Sequence, residues 1–123
     1  MRIVLSKKEK ITATQLCEAI VKIADERHCT DIKVLDLKGK SPATDYYVIA
    51  TGTSDRQMRT IADEISEFAK EHKYGRFGLA GYDQAQWVLL DYVDVVVHLM
   101  DEESREYYNL EMLWGDAKEL KIG

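Results

Sequence analysis

The chain has 123 residues, 46% of them apolar and 32% charged, and carries a net charge of −5 at neutral pH. That length suits one domain with a real core, and the composition is that of a globular protein rather than a disordered one. An acidic total argues against direct grip on a nucleic-acid backbone, which needs a basic patch, and favours a basic protein partner, including one that itself sits on RNA.

Residues 1–11 read as a short basic tail and residues 12–123 as a single domain. Thr12 with Gln15 three positions later has the form of a capping box, and Leu16, Ile20, Ile23 and Ala24 follow at helical spacing. The first helix is therefore expected over about 14–28. Residues 31–38 alternate as a strand, and Gly39 to Thr44, with the single proline, form a turn. Tyr46 to Thr51 is nearly all apolar, as in a central strand covered on both faces. Ser54 and Gln57 suggest a second capping box, with Asp55 in the positive first turn. Met58, Ile61, Ala62, Ile65, Phe68 and Ala69 keep one apolar stripe behind it, and Gly75 is the expected stop. A short strand is expected near Phe77 to Gly81, and a last helix over about 104–114, ending at Gly115.

Between these lies the run Gln86 to Met100, which reads as two strands joined tightly at Val93-Asp94. Such a turn pairs Tyr92 with Val95, Asp91 with Val96, Leu90 with Val97, Leu89 with His98 and Trp87 with Met100. Side chains alternate along a strand, so one face carries Val88, Leu90, Tyr92, Val95, Val97 and Leu99 and is a core face. The other carries Trp87, Leu89, Asp91, Val96, His98 and Met100. Those six are the candidate partner-binding residues, because aromatics and Met are enriched at interface centres and this mixture makes a poor dry core. The competing reading is a sheet buried on both faces, with Asp91 and His98 satisfied inside. The element order predicts an α/β (α+β) fold with a mixed five-stranded sheet and helices mainly on one face.

Other motifs point less far. Cys17 and Cys29 read as reduced thiols, with no His or Cys to complete a metal set. The N-terminus lacks a secretory pattern, and no stretch approaches the roughly 18 apolar residues of a membrane span, so a cytoplasmic protein is expected. Thr51-Gly-Thr-Ser-Asp-Arg-Gln57 joins a strand to a helix N-terminus, a geometry that can bind phosphate or simply cap the helix. A metal-dependent nucleotide chemistry there would need neighbouring acids on one face, and Asp91 and Asp94 straddle a turn instead. His28, His72 and His98 are scattered, and no nucleophile has a predictable place beside them. Asp101 to Arg105 reads as a solvated turn with capping acids, and Tyr107 and Tyr108 as helix packing. No cofactor is expected.

Four segments together are specific: Thr44 to Gln57, Trp87 to Tyr92, Asp94 to His98 and Arg105 to Asp116. In order and spacing they closely resemble the ribosomal silencing factor (Iojap) family over about residues 12–117. The resemblance implies a non-enzymatic, nucleotidyltransferase-like fold, often a homodimer. It implies a translational repressor that binds a large-subunit ribosomal protein and keeps the small subunit from joining. It places the partner-facing motif on Trp87, Leu89, Asp91 and His98. The alternatives are an enzyme that kept nucleotide chemistry, which needs carboxylates converging beside Thr51 to Ser54, and a bare oligomerisation module. Val93 and Ala85 stand where the family commonly has Gly. A two-residue hairpin turn wants φ > 0, which a β-branched residue resists, so a longer turn would displace the cross-strand pairs by one step.

Overall fold

The computed structural model of the chain describes residues 11–122. The expected basic tail lies outside the described residues except for Ile11, which is buried in the core rather than part of a tail. In chain order the elements are α1 (Ala13–Glu26), β1 (Thr30–Asp36), β2 (Tyr46–Thr51), α2 (Asp55–Glu71), β3 (Gly78–Ala80), β4 (Trp87–Asp91), β5 (Val95–Met100), α3 (Glu102–Tyr108), α4 (Leu110–Leu113) and β6 (Lys118–Leu120).

Both long helices start where their caps place them. Thr12 accepts from the Gln15 backbone N–H at 3.1 Å, and the Gln15 side chain accepts from the Thr12 N–H at 2.9 Å. Ser54 accepts from the Gln57 N–H at 3.0 Å, but Gln57 reaches one residue further back than a capping box requires, to the Thr53 N–H at 2.6 Å. Both helices end in the same way. His28 and Lys73 take φ of +69° and +59°, and the next residues, Cys29 and Tyr74, donate back to Ala24 and Ala69. This closes the last turn in a Schellman motif. The stop expected at Gly75 is thus made two residues earlier, by Lys73.

The six strands form one sheet in the order β3-β4-β5-β2-β1-β6, with β2 and β5 parallel at its centre and the other pairs antiparallel. The expectation of five strands missed β6. Three residues, two of them charged, have no alternation to read, and the strand forms because β1 otherwise leaves an open edge. One face of the sheet buries Val48, Ala50, Val88, Leu90, Val97 and Leu99 against Leu16 and Ile20 of α1 and Met58, Ile61 and Ile65 of α2. Each such side chain contributes about 1.5–3 kcal/mol by leaving water.

The hairpin register is the expected one, with Trp87 opposite Met100 and Asp91 opposite Val96. Val93 accepts a φ of +71° to make it, and the Asp94 N–H closes a three-residue turn onto the Tyr92 carbonyl at 2.9 Å. A β-branched residue is strained there, and the surroundings hold it. The Asp91 carboxylate accepts from the Val93 N–H at 2.8 Å, and the Asp94 carbonyl accepts from the N–H groups of Asp45 and Tyr46 at 3.0 Å each. Ala85, the other departure from the family pattern, also has a positive φ, +52°.

The predicted last helix is broken. Asn109, at φ +43°, ends α3 and starts α4. Asn tolerates this conformation better than most residues. The change of direction lays Leu110 and Trp114 on the second face of the sheet, with Leu35, Leu37, Ile49 and Met100. That face is therefore not left looking outward, as it would be with every helix on the other side.

Candidate functional site: an aromatic sheet face and its covering segment

On the second face, β4 presents Trp87, Leu89 and Asp91 and β5 presents Val96, His98 and Met100. The structure divides these six. Trp87, Leu89, Asp91 and Val96 are half-buried, whereas His98 and Met100 are buried. His98 and Met100, expected to face a partner, lie instead beneath neighbouring side chains and the segment after β5. The two-sided core holds for this part of the sheet, and the four half-buried residues form its open margin.

The chemistry of His98 follows from its one hydrogen bond. The Trp87 indole N–H donates to His98 Nδ1 at 3.0 Å. An indole can only donate, so Nδ1 must accept and the imidazole proton sits on Nε2. Nε2 is buried without a hydrogen-bond partner among the described residues, and His98 is 3% exposed. Burial pushes its pKa down to about 4. A proton on Nδ1 would also face the Trp87 donor, so the ring is neutral near pH 7. Tyr47 lies against it at 4.4 Å between ring centroids, and Trp114 meets Tyr47 edge-on at 6.2 Å.

The aromatic series continues outward. Tyr108 packs on Trp87 at 4.6 Å between centroids, and Tyr107 meets Tyr108 edge-on at 4.9 Å. Neither tyrosine is the interior helix packing expected from the sequence, since Tyr107 is 79% and Tyr108 49% exposed. On α4, Met112 and Leu113 are 77% and 73% exposed. Sequence reasoning missed all four, and the signal was the crowding of large apolar residues in 107–114 beyond what one helix stripe can bury. Asp91 has a structural duty as well, through its bond to the Val93 N–H.

Arg105 was also missed. Asp101 caps α3 as expected, accepting from the Ser104 N–H at 2.7 Å, but Arg105 is buried rather than solvated. Its guanidinium donates to both Glu111 carboxylate oxygens at 3.0 Å and to Thr51 Oγ1 at 2.9 Å, with Asp31 at 3.4 Å. The Arg105 bond holds the Glu111 carboxyl below its usual range. Carboxylates therefore do converge beside Thr51, but Arg105, with Lys33 3.8 Å from Glu111, already pairs with them. No group of His, Cys, Asp and Glu among the described residues is placed to hold a metal ion.

The turn after β2 is tied off too. Ser54 and Gln57 occupy the N–H groups of Gln57 and Thr53, which leaves fewer donors for a phosphate. Gly52 is needed there because a Cβ would collide with Met58 Cγ and stand 2.7 Å from its sulfur. Cys17 and Cys29 are both free and buried, and burial raises their pKa to about 12 and about 11. They are inert thiols. No helix among the described residues is long and apolar enough to cross a membrane.

A family profile described as "Ribosomal silencing factor during starvation" (RsfS) matches residues 10–123. The ribosomal silencing factor RsfS of Bacillus subtilis is 45% identical over 104 residues, covering 81% of this chain and 88% of the relative. That of Halalkalibacterium halodurans is 39% identical over 108 residues, covering 88% of this chain and 92% of the relative. A crystal structure from Bacillus halodurans superposes with a TM-score of 0.77 at 36% identity, covering 89% of this chain and 99% of the other. The matches run through the sheet, both long helices and the covering segment, and the chain belongs to the ribosomal silencing factor family.

Proposed function

We propose that this protein represses translation by occlusion. It binds a large-subunit ribosomal protein on the surface where the small subunit docks, so that binding and subunit joining exclude one another. The observation that carries the reading is the continuous aromatic series from half-buried Trp87 through Tyr108 to Tyr107, followed along the chain by exposed Met112 and Leu113 on α4. An apolar, aromatic-rich surface of this kind is what interface centres are made of. The contact surface in this proposal is the margin Trp87, Leu89, Asp91 and Val96 together with those four residues, while His98 and Met100 support it from beneath. The net charge of −5 suits a basic partner. No chemistry is required of the protein, and the Arg105-bound carboxylates beside Thr51 speak against the nucleotide-handling alternative. We place its action in the cytoplasm and expect a homodimer, with the apolar residues Phe77 and Leu79 at the β3 edge available to a second copy.

Co-sedimentation with separated ribosomal subunits tests the proposal. The protein should migrate with isolated large subunits and scarcely with small subunits or joined ribosomes. Equal binding to joined ribosomes would overturn it. Tyr107→Ser with Leu113→Ser should remove binding while melting is unchanged, because both side chains are solvent-exposed. Retained binding in that variant would move the contact surface elsewhere.

A further inference from the structure

On the opposite side of the sheet from Trp87, the end of α2 and the hairpin line an open pocket of about 470 Å³. Lys70, Lys73, Arg76, Ser66, Tyr74 and Tyr92 line it. Two independent features set it apart. The first is charge: three cationic side chains converge here in a chain whose total is −5. Among the described residues none of the three is within 4 Å of a carboxylate, in contrast to Arg27, Lys33, Lys40, Arg59 and Arg105. Arg76 instead donates to Ser66 Oγ at 3.1 Å.

The second feature is the Tyr92 hydroxyl. Its ring is 2% exposed and packs edge-on against Tyr74, yet its oxygen is buried with no hydrogen-bond partner among the described residues. A native protein rarely leaves a buried hydroxyl unmatched without a use for it. Burial raises its pKa, opposed by the Ser66 hydroxyl, which is near enough for only a weak, poorly aligned hydrogen bond, and by the charge of Arg76. Donors from α2, from the loop after it and from the end of β4 thus meet in one concave place. The negative end of the α2 dipole works against an anion here, but the Schellman closure occupies the Lys70 and Ala69 carbonyls.

We propose that this pocket binds a phosphoryl group, with Lys70, Lys73 and Arg76 supplying charge and the Tyr92 and Ser66 hydroxyls supplying neutral hydrogen bonds. Arginine and lysine together with hydroxyl groups are the usual complement of a phosphate. The phosphoryl could come from a free di- or polyphosphate-bearing small molecule or from an RNA backbone, since both offer the same oxygens. The site is separate from the partner surface of the proposed function, so either can fail without the other.

Titration of the full-length protein with inorganic pyrophosphate, followed by calorimetry, and with a labelled single-stranded RNA oligomer, followed by anisotropy, tests this. Saturable binding of at least one probe is expected. The double variant Lys73→Gln/Arg76→Gln should weaken it at least tenfold, and Tyr92→Phe several-fold without loss of thermal stability. Lys118→Gln, on β6 at the far edge of the sheet, controls for net charge and should have little effect. Pyrophosphate binding without RNA binding assigns a free ligand. RNA binding displaced by pyrophosphate assigns a backbone phosphate. Absence of saturable binding of either probe, or equal weakening in Lys118→Gln, overturns the proposal.

Discussion

Replacing Trp87 by Phe isolates the one hydrogen bond that defines His98. The substitution keeps most of the apolar surface and deletes the donor that reaches Nδ1 at 3.0 Å. His98 is 3% exposed, and its Nε2 already lacks a partner among the described residues, so both ring nitrogens would then be buried and unmatched. A buried acceptor left unsatisfied costs about 1–3 kcal/mol. The smaller ring also loses contact with Tyr108, so the expected total is about 2 kcal/mol. For a domain of this size that is a fall in melting temperature of roughly 8 °C. The decisive assay is a double-mutant cycle with His98→Leu, read by urea unfolding. Once His98 is gone nothing remains to be orphaned, so Trp87→Phe should cost less by about 1 kcal/mol or more than it does in the parent. If the two substitutions simply add, within the few tenths of a kcal/mol typical of independent sites, the hydrogen bond and the tautomer assigned to His98 are wrong.

The same histidine predicts a pH dependence. Its folded pKa of about 4 lies below the ordinary 6.5, so the unfolded chain takes up the proton first as pH falls. The stability it contributes is fully present above pH 6.5 and is lost down to about pH 4, by roughly 3 kcal/mol in all. Unfolding of the parent and His98→Leu across that range should diverge by this amount; parallel curves would refute the neutral buried ring. Ser54→Ala should cost about 1 kcal/mol, since it strips the Gln57 N–H of its cap, and should leave large-subunit binding intact. A Ser54→Ala variant of unchanged stability that had lost a nucleotide-dependent activity would revive the enzymatic alternative. Asp91→Lys should destabilise the hairpin by about 1 kcal/mol, because it removes the acceptor for the Val93 N–H, whereas Asp91→Asn keeps that acceptor and loses only charge. Weaker large-subunit binding in Asp91→Asn at full stability would assign the carboxylate to the interface; unchanged binding would make it a turn residue alone.

What local sequence determines here is what short-range physics controls. Thr12 and Ser54 mark helix starts because a cap and its target N–H groups lie within one turn of each other. The period-two pattern of 87–100 specifies the hairpin register, since a one-residue slip would move every core side chain to the opposite face of the sheet. Even Val93, which argues against a tight turn by its own preference, yields to the sheet on both sides of it. The family was legible for the same reason, because its motifs are contiguous runs of residues in a fixed order. Tertiary structure decided the rest. Whether Trp87, His98 and Met100 face solvent depends on residues 102–120 folding back over the sheet, and that path turns on the single left-handed residue Asn109. Arg105 joins Thr51, 54 residues away along the chain, and Tyr92 meets the basic end of α2, so neither cluster has a sequence spacing to read. Burial is a property of what covers a residue, and the cover on the second sheet face comes from a segment whose own pattern of charged and apolar residues says nothing about where it will lie.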